Sequence, residues 1–261
     1  MEFDIADYKR RTARLDVADI DFDVFADRPL EPGALRCLRY MHDVEFHTIC
    51  YLRDLLMTPA HRDPDVTAFL TFWAYEEFWH GEALGAVLAA HGEVAGGERV
   101  GAMRKGLPVR ERLAPLSHLM GSVLVGRDYT AVHMVWGAIN EWCTQAAYSR
   151  LMQLADHPDL SQLLSRIMRQ EGRHIDFYAS QAGARLASSP RAQKLSRFAL
   201  RKFWTPVGAG VMPKAETEFV TSYLFGGRDG ADVAQRIDRR VDRFPGLGGL
   251  RLVETAIAAA A

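Results

Sequence analysis

Residues 70–87 read LTFWAYEEFWHGEALGAV. Taken at steps of three and four, the apolar positions are Leu70, Trp73, Leu84 and Val87, and the two positions that complete the row are Glu77 and His80. Such spacing predicts an amphipathic helix, because residues three and four apart share one side. An acid and an imidazole one turn apart therefore stand where core residues belong. Glu76 points about 100° away from that row and reads as a polar or inter-helix residue.

The same interruption recurs in three other segments. Upstream the row is Leu38, Met41, Glu45, Ile49, Leu52, Leu56; downstream the rows are Met134, Ala138, Glu141, Gln145, Tyr148 and Leu164, Ile167, Glu171, His174, Tyr178. The four segments predict long helices over about 35–57, 64–91, 128–155 and 158–187. Asp63 before Pro64 marks a helix start, since an acceptor side chain followed by proline suits the first turn, and Asp156-His157-Pro158 again puts a proline near a helix start. The short connections make each pair an antiparallel hairpin. Residues 92–127 join the hairpins through a glycine-rich stretch (Gly92, Gly96, Gly97, Gly101, Gly106) and a shorter helix expected over Pro108–Val125. A connection of that length crosses from one end of a bundle to the other.

Four carboxylates facing one another in a core cost several kcal/mol each unless cations neutralise them. No Lys or Arg lies on these rows. Two divalent metal ions would balance the four negative charges, with a fully hydrogen-bonded polar core as the alternative. Glu77 follows Glu45 by 32 residues and Glu171 follows Glu141 by 30, and each of the later glutamates has a histidine three residues on. The candidate ligands Glu45, Glu77, His80, Glu141, Glu171 and His174 are thus a twofold repeat of one hairpin. A single Glu-x-x-His is a weak signal; two, each on an apolar face with a row glutamate one hairpin upstream, are specific.

This constellation resembles the ferritin-like di-iron carboxylate proteins. Within them YEEFWHGEAL around Glu77 and His80, INEWCTQAAY around Glu141 and IMRQEGRHIDFY around Glu171 and His174 look most like the soluble acyl-carrier-protein desaturases. The resemblance covers about residues 35–187. It implies an all-α ferritin-like four-helix bundle with a long crossover, and two iron ions, with manganese in one position an option. The implied activity is dioxygen-dependent, desaturase-like oxidation of an unactivated C–H bond in an acyl or similar hydrocarbon. It also implies that Glu45 and Glu141 bind or bridge the irons and that Thr144, three residues after Glu141, handles oxygen or protons. Further implications are a substrate carried on acyl carrier protein, a ferredoxin-type electron donor and a homodimer. Gln170 departs from the family, which usually has an aspartate there. Ile167 and Leu84 stand where arylamine N-oxygenases and ribonucleotide reductase small subunits carry a histidine and a radical tyrosine. The competing readings are another di-metal oxidase of this fold, including N-oxygenases and manganese/iron ligand-binding oxidases, and a ferritin-like iron store.

The remaining sequence sets the frame. The chain has 261 residues, 48% hydrophobic and 25% charged, with 32 basic against 33 acidic side chains. That balance gives no reason to expect a nucleic-acid partner. There is no uninterrupted apolar run of membrane-span length and no signal-peptide pattern, so a cytoplasmic protein is expected. Cys37, Cys50 and Cys143 fit free thiols. Residues 1–34 read as an acidic, irregular N-terminal arm, with a period-two patch over Asp19–Val24 that suggests a short extended arm. Residues 188–261 read as a helical extension, with helices over about 190–204, 213–225 and 229–243. His42, His47 and Tyr178 are expected beside the ligands rather than among them, and Trp73, Trp79, Trp136 and Trp142 as packing. Arg191, Lys194, Arg197, Arg201 and Lys202 form a basic stripe, suited to an acidic carrier or donor protein if it is more than a solvated face.

Overall fold

The computed structural model describes residues 3–260. Among these the fold is all-α, with one isolated bridge between Ala209 and Met212 and no strand. Two short helices, α1 (Ile5–Arg11) and α2 (Val24–Asp27), precede the long ones. The long helices are α3 (Pro32–Leu56) and α4 (Pro64–Ala90), then, after α5 (Gly96–Lys105), α6 (Val109–Arg112) and α7 (Ala114–Val125), α8 (Tyr129–Ala155) and α9 (Pro158–Ser188). The expected cap of α4 is in place: Asp63 accepts from the Asp65 and Val66 amides. At the start of α9 His157 accepts from Leu160, and both helices have proline in the first turn. Glu31 caps α3 in the same way, so that helix begins at Pro32, three residues before the expected start.

α3 packs on α4 and α8 on α9, while α3 also meets α8 and α4 meets α9. The four long helices thereby close a ring around one interior. Two glycines set how closely helices approach. A Cβ on Gly81 would lie 2.6 Å from the Phe46 ring of the neighbouring helix, and one on Gly137 would overlap the Tyr178 ring. The apolar interior is divided in two. One part holds Phe69, Leu70, Met134, Ala138 and Phe177, the other Leu38, Met41, Leu84, Leu151 and Leu164.

Several local expectations are corrected. The glycine-rich connection contains a helix, α5, and the single helix expected over Pro108–Val125 is broken at Leu113, because Pro115 lacks the N–H that a continuous helix needs. The patch over Asp19–Val24 is not an extended arm: it is turn and irregular chain that runs into α2 at Val24. Its apolar side chains instead lie against the long helices, with Ile20 buried and Asp19 held by Arg166 at 2.6 Å. On α3 the predicted row fails past Glu45: Ile49 and Leu56 are 47% and 40% exposed, whereas Leu55 is fully buried.

After α9 come α10 (Pro190–Phe203), α11 (Lys214–Phe225), α12 (Gly227–Val241) and α13 (Leu252–Ala260). All pack on the long helices or on one another. Asp238 joins the last two by accepting from the Val253 and Glu254 amides at 3.1 and 3.0 Å. Among the described residues no helix is long and apolar enough to cross a membrane.

Candidate metal centre

Between the two halves of the apolar interior lie all six predicted ligands, none more than 6% exposed. They fall into two groups able to hold a metal ion: Glu45, Glu77, His80 and Glu171, and Glu77, Glu141, Glu171 and His174. Within each group, one ligand atom per residue lies within 4.8 Å of all the others. Glu77 and Glu171 belong to both groups. The shared positions are therefore the two Glu-x-x-His glutamates, while Glu45 and Glu141 each serve one side. The sequence reading had Glu45 and Glu141 bind or bridge the metals; the residues common to the two groups are Glu77 and Glu171 instead.

Both histidines turn Nδ1 toward the carboxylates. His80 Nδ1 is 3.3 Å from Glu171 and 3.8 Å from both Glu45 and Glu77; His174 Nδ1 is 3.0 Å from Glu171 and 3.1 Å from Glu77. Each Nε2 points outward to an oxygen that only accepts, Gln170 Oε1 for His80 and Glu76 Oε2 for His174, both at 2.8 Å. With Nε2 donating, the neutral imidazole carries its lone pair on Nδ1, facing the carboxylates. Glu76 is itself fixed by Tyr8 at 2.9 Å and Arg173 at 2.6 Å, and Gln170 by donating to the Ala13 carbonyl at 3.0 Å. Trp73 Nε1 donates to Glu141 at 3.0 Å, and the Tyr148 hydroxyl donates to Glu45. Outer partners of this kind orient ligands and tune their basicity.

The residues fit a pair of divalent ions. Glu45 Oε2, Glu77 Oε1, Glu171 Oε1 and His80 Nδ1 are buried without a hydrogen-bond partner among the described residues. Leaving such atoms unsatisfied costs about 1–3 kcal/mol each, and a shared cation satisfies all of them. Carboxylate oxygen with imidazole nitrogen is a donor set suited to first-row transition metals. The electrostatics agree. Burial, then the charges of Glu77 and Glu171, push Glu45 well above the usual carboxylate range, and burial with the same two neighbours does so for Glu141. For Glu77 burial is outweighed by the close approach of Glu45, His174 and His80, which holds its carboxyl down; at Glu171 burial and the Glu77 charge are outweighed by His174 and His80, which lower it as well. Burial opposes charge on His80, but Glu171 and Glu77 overcome it and raise the imidazole to about 9. His174 is likewise raised.

A cavity of about 770 Å³ opens onto Glu45, Glu77 and Glu141 and runs outward between α3, α7, α8 and α10. Its lining is mainly apolar, and Thr144, Trp73 and Tyr178 stand on its wall near the carboxylates. Polar groups on the wall are paired with one another: His133 with Tyr51 at 3.1 Å and His118 with Tyr129 at 2.8 Å. Burial keeps these imidazoles neutral, pushing His133 down to about 3 and lowering His118. The cavity accounts for the failed row on α3, since Thr48 and Tyr51 face it and leave Ile49 on the open side.

Of the residues set beside the ligands, His42 bonds Asp43 and the Gly96 amide, away from the carboxylates, and His47 lines the cavity. The Tyr178 hydroxyl is buried without a hydrogen-bond partner among the described residues. Sequence reasoning missed Tyr8, Tyr148, Arg173 and the roles of Glu76 and Gln170. One signal could have found the last two: each directly precedes the glutamate of a Glu-x-x-His. Comparisons of the chain with protein-family models, curated proteins and solved structures give no match.

Proposed function

We propose that the chain is a di-iron oxidase on a ferritin-like four-helix bundle, similar to the soluble acyl-carrier-protein desaturases, that oxidises an unactivated C–H bond of an acyl or similar hydrocarbon. The observation that carries this reading is the junction of two metal-binding groups sharing Glu77 and Glu171 with an apolar cavity of about 770 Å³. An iron store has no use for such a cavity at its metal site. Two bound irons would supply the redox chemistry with dioxygen, and the same donors accept manganese in one position.

The side chains supply position and shielding. Glu45, Glu77, His80 and Glu171 would hold one ion, and Glu77, Glu141, Glu171 and His174 the other. Trp73 fixes one oxygen of Glu141, and Tyr148 one oxygen of Glu45. The apolar wall keeps water from the reacting carbon, and Thr144 Oγ1 offers a hydroxyl on that wall able to hold or pass a proton. Electrons would come from outside, through a ferredoxin-type donor. Elemental analysis after anaerobic iron reconstitution tests the centre, and mass spectrometry of molecules copurifying in the cavity tests the substrate class. About two irons per chain, lost in Glu77→Ala with Glu171→Ala, are expected; absence of stoichiometric metal, or its persistence in that variant, sinks the proposal.

A further inference from the structure

The outer rim of the cavity carries a surface that the proposed chemistry does not use. Leu113 to Val125 contain no Asp, Glu, Lys or Arg. The inner side of α7 lines the cavity through Ala114, Ser117, His118, Gly121 and Val125. Its outer side presents Leu116, Met120, Val123 and Leu124 at 53%, 59%, 74% and 81% exposure, and Leu113, just before the helix, is exposed as well. An uncharged helix that leaves its large aliphatic side chains in water marks a contact surface, because monomers rarely expose contiguous apolar patches of that extent.

Across the cavity mouth lies α10. Arg191 at its start binds the Val125 carbonyl at 2.9 Å and Asp128 at 3.2 Å, which fixes this helix beside the end of α7. Phe198 and Phe203 both line the cavity and are 62% and 59% exposed, so they stand at its rim. On the same helix Lys194, Arg201 and Lys202 are exposed and have no ion-pair or hydrogen-bond partner among the described residues. Arg197 differs, since it is occupied by the Gly246 and Gly248 carbonyls. The mouth of an apolar cavity is thus framed by an aliphatic helix on one side and by two phenylalanines among free cations on the other.

We infer that this surface seats the protein on an anionic lipid bilayer, with α7 and the two phenylalanines entering the headgroup boundary and the α10 cations meeting lipid phosphates. The combination decides the occupant. An acidic carrier protein would pair with Lys194, Arg201 and Lys202 but would leave Val123 and Leu124, the most exposed of the apolar side chains, in water. A second copy could cover α7, yet it carries the same unpaired cations, and a twofold contact through this face brings like charges together. A bilayer with anionic headgroups satisfies both halves at once. An acyl chain would then pass from the membrane into the cavity without crossing water. That last step rests on the oxidase reading, whereas the seating itself does not.

Flotation of the full chain with vesicles tests it, using phosphatidylcholine alone and phosphatidylcholine mixed with phosphatidylglycerol at low and high salt. The protein should partition onto the mixed vesicles and much less onto the neutral ones. Lys194→Glu with Lys202→Glu should weaken binding about thirtyfold or more, at about fivefold per cation lost, and mainly at low salt. Val123→Glu with Leu124→Glu should abolish binding at either salt. Arg239→Glu with Arg240→Glu, on α12, should leave binding as in the native chain. All these positions lie on exposed helix faces, so thermal melts matching the native chain will confirm folding. The inference is overturned by absence of binding to mixed vesicles, by equal binding of every variant, or by a solution dimer that the α7 variant splits while no vesicle is bound. Capture of acyl carrier protein that depends on the lysines but not on Val123 and Leu124, without vesicle binding, also overturns it. Vesicle binding by a chain that takes up no iron would keep the seating and remove the oxidase; iron uptake without vesicle binding would do the reverse.

Discussion

Loading the centre with two divalent ions should expel protons, more of them at pH 7 than above pH 9. The sign follows from the side chains. Without metal, burial and the neighbouring carboxylates favour the protonated forms of Glu45 and Glu141, while Glu77 and Glu171 are held down. His80 is raised to about 9 and so is an imidazolium ion at pH 7, and His174 is raised as well. Metal-bound carboxylates are ionised and metal-bound imidazoles neutral, so the His80 proton leaves as the ions arrive, together with any held by His174, Glu45 and Glu141. Anaerobic Fe(II) titration at pH 7 in dilute buffer with a pH indicator reads the yield: at least about one proton per chain at saturation is expected, and none would refute the charge assignment. The same linkage fixes a sign for stability. His80 titrates above its ordinary 6.5 when folded, so its contribution is complete below about 6.5 and is lost as pH rises through about 9. Glu45 and Glu141, raised from 4.5, act in the same direction from lower pH; Glu77 and Glu171, lowered from 4.5, act oppositely and contribute only above it. The rise in Tm on metal addition should therefore grow from pH 6.5 to 9, and a constant rise would contradict the reasoning.

Glu76→Ala and Gln170→Ala each remove the acceptor that fixes one histidine and should lower metal affinity about 10- to 100-fold, read by competition with a chelator. An unchanged affinity in both would show that the imidazoles are held by packing alone. Thr144→Val should keep the metal content but raise hydrogen peroxide release per dioxygen consumed; unchanged coupling removes the residue from the chemistry. Gly137→Ala forces the buried Tyr178 ring to move and should cost about 1–3 kcal/mol in denaturant unfolding, whereas Gly172→Ala, whose Cβ meets nothing within 4 Å, should not.

The long helices were legible because their signals are local. Each has a periodic apolar row, and proline marks the starts of α4 and α9, so their predicted bounds fall within a residue or so of those observed. The six candidate ligands were legible as buried ionisable residues for the same reason: a charged residue in an apolar row is an anomaly visible within one helix. What surrounds them was not. Tyr8 lies 68 residues from Glu76, and Tyr148 lies 103 from Glu45; neither pairing leaves a mark on the periodicity of its own segment. The outer half of α3 misled for a related reason. A row of apolar spacing predicts burial only where another element covers it, and past Glu45 the neighbouring space is the cavity.

Glu76 shows how a correct angle can support an incomplete conclusion. It does project about 100° from the ligand row, and that direction aims it at the neighbouring helix, where His174 presents Nε2. Gln170 stands in the same relation to Glu171 and reaches His80. The repeated unit is therefore one residue longer than Glu-x-x-His: on each helix, an acceptor, a shared glutamate and a histidine, with the acceptor bracing the histidine of the other helix. The two braces differ in charge, one a carboxylate paired with Arg173 and the other a neutral amide. A carboxylate makes the imidazole that donates to it a stronger base at its other nitrogen, and an amide does so less. The ligand repeat is twofold in geometry but unequal in electronic character, and the source of the inequality is the residue before each shared glutamate, not the glutamates or histidines themselves.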